Sequence, residues 1–165
     1  VSKFKNIEFF FLKNNKGQSF ACNYGLKKTN TDYIWFFDSD DHVNVNTIKK
    51  VVSTTRKLNG DGYLLPSSNM YNGKIVKKVW PSKRPHDFND LRNNGQMVNT
   101  SCAIFKTDKI RKIKGWDNHL FGGTDTDLFL RFSKIGVFSF IKTSPVRVDI
   151  SNNNRVSNIL FRQLL

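Results

Sequence analysis

Three carboxylates stand close together in this sequence, directly after an apolar run. Asp38, Asp40 and Asp41 follow residues 33–37, which read Tyr-Ile-Trp-Phe-Phe. Such a run predicts a strand buried on both faces, with the carboxylates at its carboxyl end. Ligands of open α/β sheets bind beyond these ends, and Mg²⁺ or Mn²⁺ prefers oxygen ligands. The cluster therefore predicts a metal and a phosphate-bearing substrate, with a simple Asp-rich turn as the alternative.

A second acidic cluster, Asp125 and Asp127, lies at the start of a predicted helix. With Thr124 as the N-cap, Asp127 takes the third helical position and pairs with Arg131 four residues later. Asp125 has no such partner and is the candidate for chemistry, with compensation of the helix dipole as its alternative role. The two clusters together suit a displacement in which a metal holds a phosphate leaving group and Asp125 takes a proton from the incoming hydroxyl.

Strands and helices that would position these clusters alternate along the chain. Strands are predicted at residues 9–12, 33–37, 63–65, 75–80, 97–105 and 137–141, the fourth as a hairpin arm after Asn72-Gly73. Helices are predicted at 18–28, between a cap at Asn46 and a stop at Gly60, and at 108–112, 124–134 and 159–165. Residues 81–94 are predicted as an irregular loop with room for one helical turn. This alternation favours an α/β fold, and 165 residues suit a single domain.

The chain is strongly basic, with 27 Lys and Arg against 13 Asp and Glu and a net charge of +14. This charge favours a polyanionic neighbour: nucleotide phosphates, anionic lipid or nucleic acid. A basic metal-dependent nucleic-acid-binding protein or enzyme is therefore one alternative. The basic residues are spread along the whole chain without a nucleic-acid-binding motif, so no specific nucleic acid is expected.

Cysteine usage and apolar run length indicate the compartment. Cys22 and Cys102 lie far apart and have no zinc-site spacing, so reduced, cytoplasmic thiols are expected. The apolar runs are too short to span a bilayer. Any membrane association would then be peripheral, through basic residues at the inner, anionic face of the membrane.

Four segments of the sequence resemble family 2 glycosyltransferases of the GT-A fold and follow that family's order. They are Gly17 to Leu26, Asp32 to Asp41, Gly115 to Asp117, and Gly122 to Arg131. The resemblance implies a Rossmann-like mixed sheet flanked by helices in one GT-A domain. Residues 1–60 would be the remainder of the nucleotide- and metal-binding half, 61–145 the acceptor-binding half, and 146–165 a carboxyl-terminal tail.

This resemblance also implies an activity and a donor site. Family 2 enzymes transfer a sugar from a nucleotide-diphosphate donor, usually UDP-linked, to an acceptor hydroxyl with inversion, using Mn²⁺ or Mg²⁺. Asp38 and Asp40 match the DxD motif that holds donor and metal, and Asp41 is an additional metal contact. Gly17 and Asn23 fall in a donor-binding segment.

For the acceptor side, the resemblance makes Asp125 the general base. Trp116 and Gly123 would bind the acceptor, which is a glycan, a lipid-linked sugar or a protein. The face of Trp116 would stack on a sugar, and its alternative role is that of a buried core residue.

The sequence also departs from the family's pattern. The family begins with a strand, a helix and a second strand that hold the base and ribose, whereas this chain resembles the family from the third strand onward. Either the sequence is a fragment, or that half of the nucleotide site is supplied elsewhere or absent. A catalytically inactive, truncated GT-A domain is therefore a further alternative.

Single-residue departures affect the donor site as well. Cys22 stands where the family commonly has an arginine, which removes a donor contact. Some members offer a tail histidine to metal or phosphate; here only Arg147, Asn153 and Arg155 could substitute, with surface solvation as their alternative role. His42 follows the acidic cluster and is interpreted as structural.

Overall fold

Five helices and seven strands form the part of the chain that the computed structural model describes, residues 6–81, 86–94 and 98–151. In order they are α1 (Gln18–Lys28), β1 (Tyr33–Trp35), α2 (Val45–Leu58), β2 (Gly62–Leu64), β3 (Ser67–Tyr71), β4 (Lys74–Val79), α3 (Phe88–Asn94), a 3₁₀ helix (Thr100–Cys102), β5 (Ala103–Lys106), α4 (Thr107–Lys112), α5 (Thr124–Ser133), β6 (Phe138–Phe140) and β7 (Val146–Asp149). The predicted helix at 159–165, Asn153 and Arg155 lie outside the described residues.

Two mixed sheets organise these elements. The first has the order β1-β5-β2-β6, in which β5 is antiparallel to both β1 and β2 while β6 is parallel to β2. The second has the order β4-β3-β7, with β4 antiparallel and β7 parallel to β3. The predicted α/β class with a mixed sheet is confirmed.

Phe105 of β5 is the centre of the core. It is 0% exposed, and its ring meets those of Phe129 and Phe132 of α5 at 5.6 and 5.2 Å between centroids. The ring of Phe138 on β6 lies 5.6 Å away. Because Phe129 and Phe132 lie on one helical face, α5 is fixed across the sheet, and the position of Asp125 at its start is fixed with it.

Helix α2 is confirmed, but its capping residues differ from the prediction. The side chain of Asn44, not Asn46, caps the helix by accepting a 2.8 Å bond from the backbone N–H of Asn46. At the other end Asn59 takes the left-handed conformation with φ 46°, one residue before Gly60. Asparagine tolerates this conformation well enough to replace the expected glycine.

Hairpin β3-β4 turns through Asn72 and Gly73, whose positive φ angles of 47° and 75° are those of a two-residue hairpin turn, as predicted. Strand β7 was missed, because residues 146–149 were assigned to a tail. Val146 and Val148 are buried, whereas Arg147 and Asp149 are more exposed. This alternation is typical of a strand, but four residues are too few for it to stand out in the sequence.

The strand predicted at 9–12 is wrong. Phe11 is 91% exposed, and no strand of the described residues pairs with this segment. Phe10 instead contacts Tyr24 of α1 edge to face, with 5.7 Å between ring centroids. An apolar run forms a strand only where a neighbouring strand supplies hydrogen bonds.

Three other predicted bounds change. β1 ends at Trp35 rather than at residue 37, and β5 begins at Ala103 after a 3₁₀ helix. The predicted loop at 81–94 contains the two-turn helix α3. Among the described residues, each helix falls short of the length and apolarity that a bilayer crossing requires.

Candidate active site

The amino end of α1 lies against Asp38, the first of the three clustered carboxylates Asp38, Asp40 and Asp41. Gly17 caps the helix with a φ of 85°, and its N–H donates to Asn15 Oδ1 at 2.9 Å. One residue later, Gln18 Nε2 donates to Asp38 Oδ1 at 3.3 Å. Gly17, a predicted donor-binding residue, therefore lies beside the predicted metal site, at a helix end with partial positive charge.

The three clustered carboxylates have different environments. The backbone N–H of Asp41 donates to the carbonyl of Asp38 at 3.1 Å and closes a tight turn. Asp38 and Asp40 are exposed on this turn, whereas Asp41 is 7% exposed and its Oδ1 accepts from the backbone N–H of Asp149 at 3.3 Å. Asp41 thus ties the turn to β7, and its predicted contact with a metal stays a prediction.

Two exposed carboxylates are a small ligand set. Across the described residues, no three side chains of His, Cys, Asp or Glu are placed to hold a metal ion together. Mg²⁺ commonly uses one or two carboxylates together with substrate phosphate oxygens, so Asp38 and Asp40 fit an ion that arrives with a diphosphate.

Ser101 supports the turn and was not predicted as a functional residue. Its hydroxyl accepts from the backbone N–H of Asp38 at 3.0 Å, and its carbonyl accepts from Trp35 Nε1 at 2.8 Å. Ser101 is buried in the 3₁₀ helix, between β1 and the turn. Its only sequence signal was a small polar residue within a predicted strand.

Cys22 of α1 lies between the two acidic clusters. Burial raises the pKa of its thiol to about 12, and the nearby carboxylates of Asp38 and Asp125 raise it in the same direction. Both carboxylates therefore lie close enough to the thiol to interact with it electrostatically. The structure therefore brings the acidic clusters together around a cysteine that remains protonated at neutral pH.

The N-cap of helix α5 lies one residue earlier than predicted. Gly123, not Thr124, is the N-cap, in the left-handed conformation with φ 64°. Glycine adopts this conformation without strain, so Thr124 joins the first turn and Asp127 becomes the fourth helical residue. Asp125 remains in the first turn, half-buried, with Thr124 Oγ1 3.5 Å from its Oδ1.

Asp127 has a structural role, as predicted. Its Oδ2 accepts from Arg131 Nε at 2.9 Å and Nη2 at 2.5 Å. The same guanidinium donates through Nη1 to the carbonyls of Ile113 and Gly115, at 2.7 and 2.8 Å. This arrangement fixes the segment that leads into Trp116 against α5.

Asn23 and Trp116 are hydrogen-bonded to each other. The Asn23 amide donates to the carbonyl of Trp116 and accepts from its N–H, both at 2.8 Å. Trp116 is 3% exposed, and its ring meets that of Phe36 edge to face at 5.7 Å. This is the packing of a core tryptophan, so sugar stacking by Trp116 and a donor contact by Asn23 stay predictions. Gly123, in contrast, is exposed beside Asp125.

We expect Gly115→Ala to disrupt the hydrogen bonds between the Asn23 side chain and the Trp116 backbone. Gly115 has a φ of 65°, and a Cβ there would lie 2.3 Å from Asn23 Oδ1. Backbone strain and the steric clash together should lower the free energy of unfolding by about 2–3 kcal/mol, measured by urea denaturation. The control is Gly73→Ala, where φ is 75° but nothing lies within 4 Å of the added carbon. Equal losses in the two variants would contradict the steric part of the prediction.

Comparison with known proteins places this chain in a family. The sequence model described as "Glycosyl transferase family 2" matches residues 1–114, a range that includes Asp38 and Asp40 and ends before Asp125. A protein named UDP-Gal:alpha-D-GlcNAc-diphosphoundecaprenol beta-1,3-galactosyltransferase, from Escherichia coli, is 30% identical over 122 residues, covering 70% of this chain and 43% of that protein. An uncharacterized glycosyltransferase of Haemophilus influenzae is 40% identical over 50 residues, 30% of this chain and 20% of that protein.

Solved structures show the same fold. Residues 1–349 of S. aureus TarS in complex with UDP-GlcNAc match with a TM-score of 0.71 at 18% identity, over 88% of this chain and 43% of that one. The complex of the same protein with UDP matches with a TM-score of 0.68 at 18% identity, over 85% of this chain and 42% of that one. The chain thus spans less than half the length of these relatives. Because the family's sequence model covers more than half of the chain, this protein belongs to glycosyl transferase family 2.

Proposed function

We propose that this chain carries the metal-binding turn and the general base of a glycosyltransferase that moves a sugar from a UDP-linked donor to an acceptor hydroxyl with inversion. The observation that carries the proposal is that Asp38, in contact with Gln18 at the amino end of α1, and Asp125 both act electrostatically on the thiol of Cys22. The E. coli relative is named for a UDP-Gal donor, and TarS has been solved with UDP-GlcNAc, which supports a UDP-sugar.

On the donor side, Asp38 and Asp40 would hold Mn²⁺ or Mg²⁺ together with the donor's diphosphate. When bound, the ion supplies positive charge that stabilises the diphosphate as it leaves. Two contacts prepare the chain for this role: Gln18 orients the Asp38 carboxylate, and Ser101 fixes the backbone of the same residue. Preorganised ligands reduce the cost of binding the donor.

On the acceptor side, Asp125 would accept the proton of the attacking hydroxyl. Its environment suits a base better than that of Asp127, whose charge is neutralised by Arg131. The neighbouring Cys22 thiol stays protonated, so it adds no second negative charge beside Asp125. Attack from the side opposite the diphosphate gives inversion at the anomeric carbon.

The acceptor that we favour is lipid-linked, because the name of the E. coli relative specifies a diphosphoundecaprenol-linked sugar. A peripheral contact with anionic lipid would bring such an acceptor to the site. Strand β4 and the residue that follows it provide a surface for this contact, with Lys74 and Lys77 exposed on the strand and Trp80 52% exposed just after its end. Lysines and an interfacial tryptophan suit an anionic membrane surface.

Calorimetric titration with UDP tests the donor site. We expect binding in Mn²⁺ that weakens at least about tenfold when EDTA replaces the metal, since the diphosphate then loses its bridging charge. Asp40→Ala should weaken binding in Mn²⁺ to the same extent, whereas Asp32→Ala, which removes an exposed carboxylate just before β1, should have no effect. Equal affinity of the parent chain with and without metal would refute the metal-dependent donor site.

A further inference from the structure

We propose that a second site, distinct from the carboxylates, binds a phosphate or diphosphate group carried by the acceptor. The site is a cleft of about 400 Å³ between hairpin β3-β4, β7 and the start of α2, here called the basic cleft. Its lining residues are His42, Val43, Asn44, Ser68, Ile75, Lys78, Ser144, Pro145 and Arg147. Assigning this phosphate to the acceptor rests on the proposed function.

Strand register places the polar residues of the basic cleft in one row. Ser68 of β3 is paired with Lys78 on one side and with Arg147 on the other. Arg147 is in turn paired with His42, with both backbone N–H···O bonds at 2.9 Å. Directly paired residues send their side chains to the same face of a sheet, about 5 Å apart. The order Lys78, Ser68, Arg147, His42 is therefore a continuous row of donors across four neighbouring segments.

A β-bulge completes the wall of the basic cleft. The register between β3 and β4 shifts at Asn69/Met70, so that Met70 pairs with Ile75 while Ser68 pairs with Lys78. In a regular strand, residues 75 and 78 would face opposite sides. The bulge lets both line the cleft, which places an apolar side chain beside the row of donors.

Among the described residues, no ion pair between side chains compensates the charge of the basic cleft. None of its nine lining residues is acidic. Within the described ranges, the ion pairs between side chains join His86 to Asp90, Lys109 to Asp61 and Arg131 to Asp127, and none involves Lys78 or Arg147. Like charges held on one face repel each other, so a bound anion would be stabilised. Arginine and lysine with a hydroxyl between them are typical ligands of a phosphate group.

The basic cleft and the carboxylates share a scaffold. His42 directly follows Asp41, whose carboxylate accepts from the backbone of Asp149 on the same strand as Arg147. One turn therefore presents carboxylates for a metal on one side and leads into the row of donors on the other. Two phosphates of a reaction, one on the donor and one on the acceptor, could then be held by sites of opposite charge.

Titration in EDTA tests the basic cleft, because the metal-dependent donor site is expected to bind at least about tenfold more weakly under this condition. The probes are inorganic pyrophosphate and a soluble prenyl diphosphate, and each should bind and displace the other. Replacing Lys78 and Arg147 together (Lys78→Gln, Arg147→Gln) should weaken both at least about tenfold, since each charged hydrogen bond to phosphate is strong. The double replacement Lys49→Gln, Lys50→Gln is the matched control, because it removes two exposed lysines of α2 that do not line the basic cleft.

UDP titration in Mn²⁺ separates this inference from the proposed function. The double variant should bind UDP within about twofold of the parent chain. Unchanged pyrophosphate affinity in the double variant would refute phosphate binding by the basic cleft. A parallel loss of UDP affinity would assign the cleft to the donor and would also overturn this proposal. Binding of pyrophosphate without the prenyl diphosphate would overturn the acceptor assignment. If UDP never binds but both diphosphates depend on Lys78 and Arg147, the cleft stands and the donor site fails.

Discussion

Replacing Asp125 with asparagine should lower turnover by about 10²–10⁴-fold while leaving UDP affinity in Mn²⁺ within about twofold. Asparagine keeps the shape of the side chain but cannot take a proton from the acceptor hydroxyl. The expected loss therefore falls on the chemical step and not on donor binding. Hydrolysis of a panel of UDP- and GDP-sugars, followed by release of the nucleotide diphosphate, measures it.

Asp127→Asn is the control for this experiment. Asp127 lies on the same helix and carries the same charge, but it is bound to Arg131 at 2.5 and 2.9 Å. Its replacement should lower stability through the segment before Trp116, with little change in the turnover of the folded protein. An Asp125→Asn variant as active as its parent would remove Asp125 from the role of base. A parent chain that binds UDP but hydrolyses no sugar nucleotide would support an inactive domain.

Local sequence patterns predicted the helices that position the site. Helix α1 has the predicted bounds, and the spacing of Asp127 and Arg131 on α5 correctly predicted their ion pair. Both depend on contacts between residues no more than four apart, which a sequence displays directly. The α/β class followed from the alternation of such segments.

Contacts between distant segments could not be predicted in this way. The acidic turn is braced by Ser101 and by β7, which follow it by more than 60 and 100 residues, respectively. Those contacts divide the carboxylates into the exposed Asp38 and Asp40 and the buried Asp41, although all three look alike in the sequence. The row of donors in the basic cleft has the same origin, because it exists only once four segments are in register.

The dependence on contacts between distant segments also explains why the predicted strand at 9–12 is wrong. Its apolar residues satisfy the sequence criterion for a buried strand, yet hydrogen-bond partners on a neighbouring strand decide whether a strand forms. Trp116 shows the opposite case, since the sequence allows either a pocket residue or a buried core residue there, and the fold encloses it in the core. Composition predicts which residues are apolar, and tertiary contacts determine what covers them.

Phe105→Ala should cause the largest loss of stability, about 4 kcal/mol, because a buried phenylalanine truncated to alanine leaves a cavity. Phe105 contacts Phe36 next to the acidic turn, at 6.2 Å between ring centroids, and also Phe129 and Phe132 of α5. It therefore joins the strand that leads to Asp38 to the helix that begins beside Asp125. Urea denaturation followed by circular dichroism measures the loss.

The matched control is Phe121→Ala, which removes a phenylalanine that is 88% exposed and should change stability by less than about 0.5 kcal/mol. Domains of this size are stable by about 5–15 kcal/mol, so Phe105→Ala would remove a large share of the total. Because the cavity would lie between Phe36, next to the acidic turn, and helix α5, the variant should also weaken UDP binding in Mn²⁺ at temperatures where it is still folded. A loss below about 1 kcal/mol would show that the core closes around the missing ring, contrary to the tight packing expected of a core, and that Phe105 does not couple the acidic turn to α5.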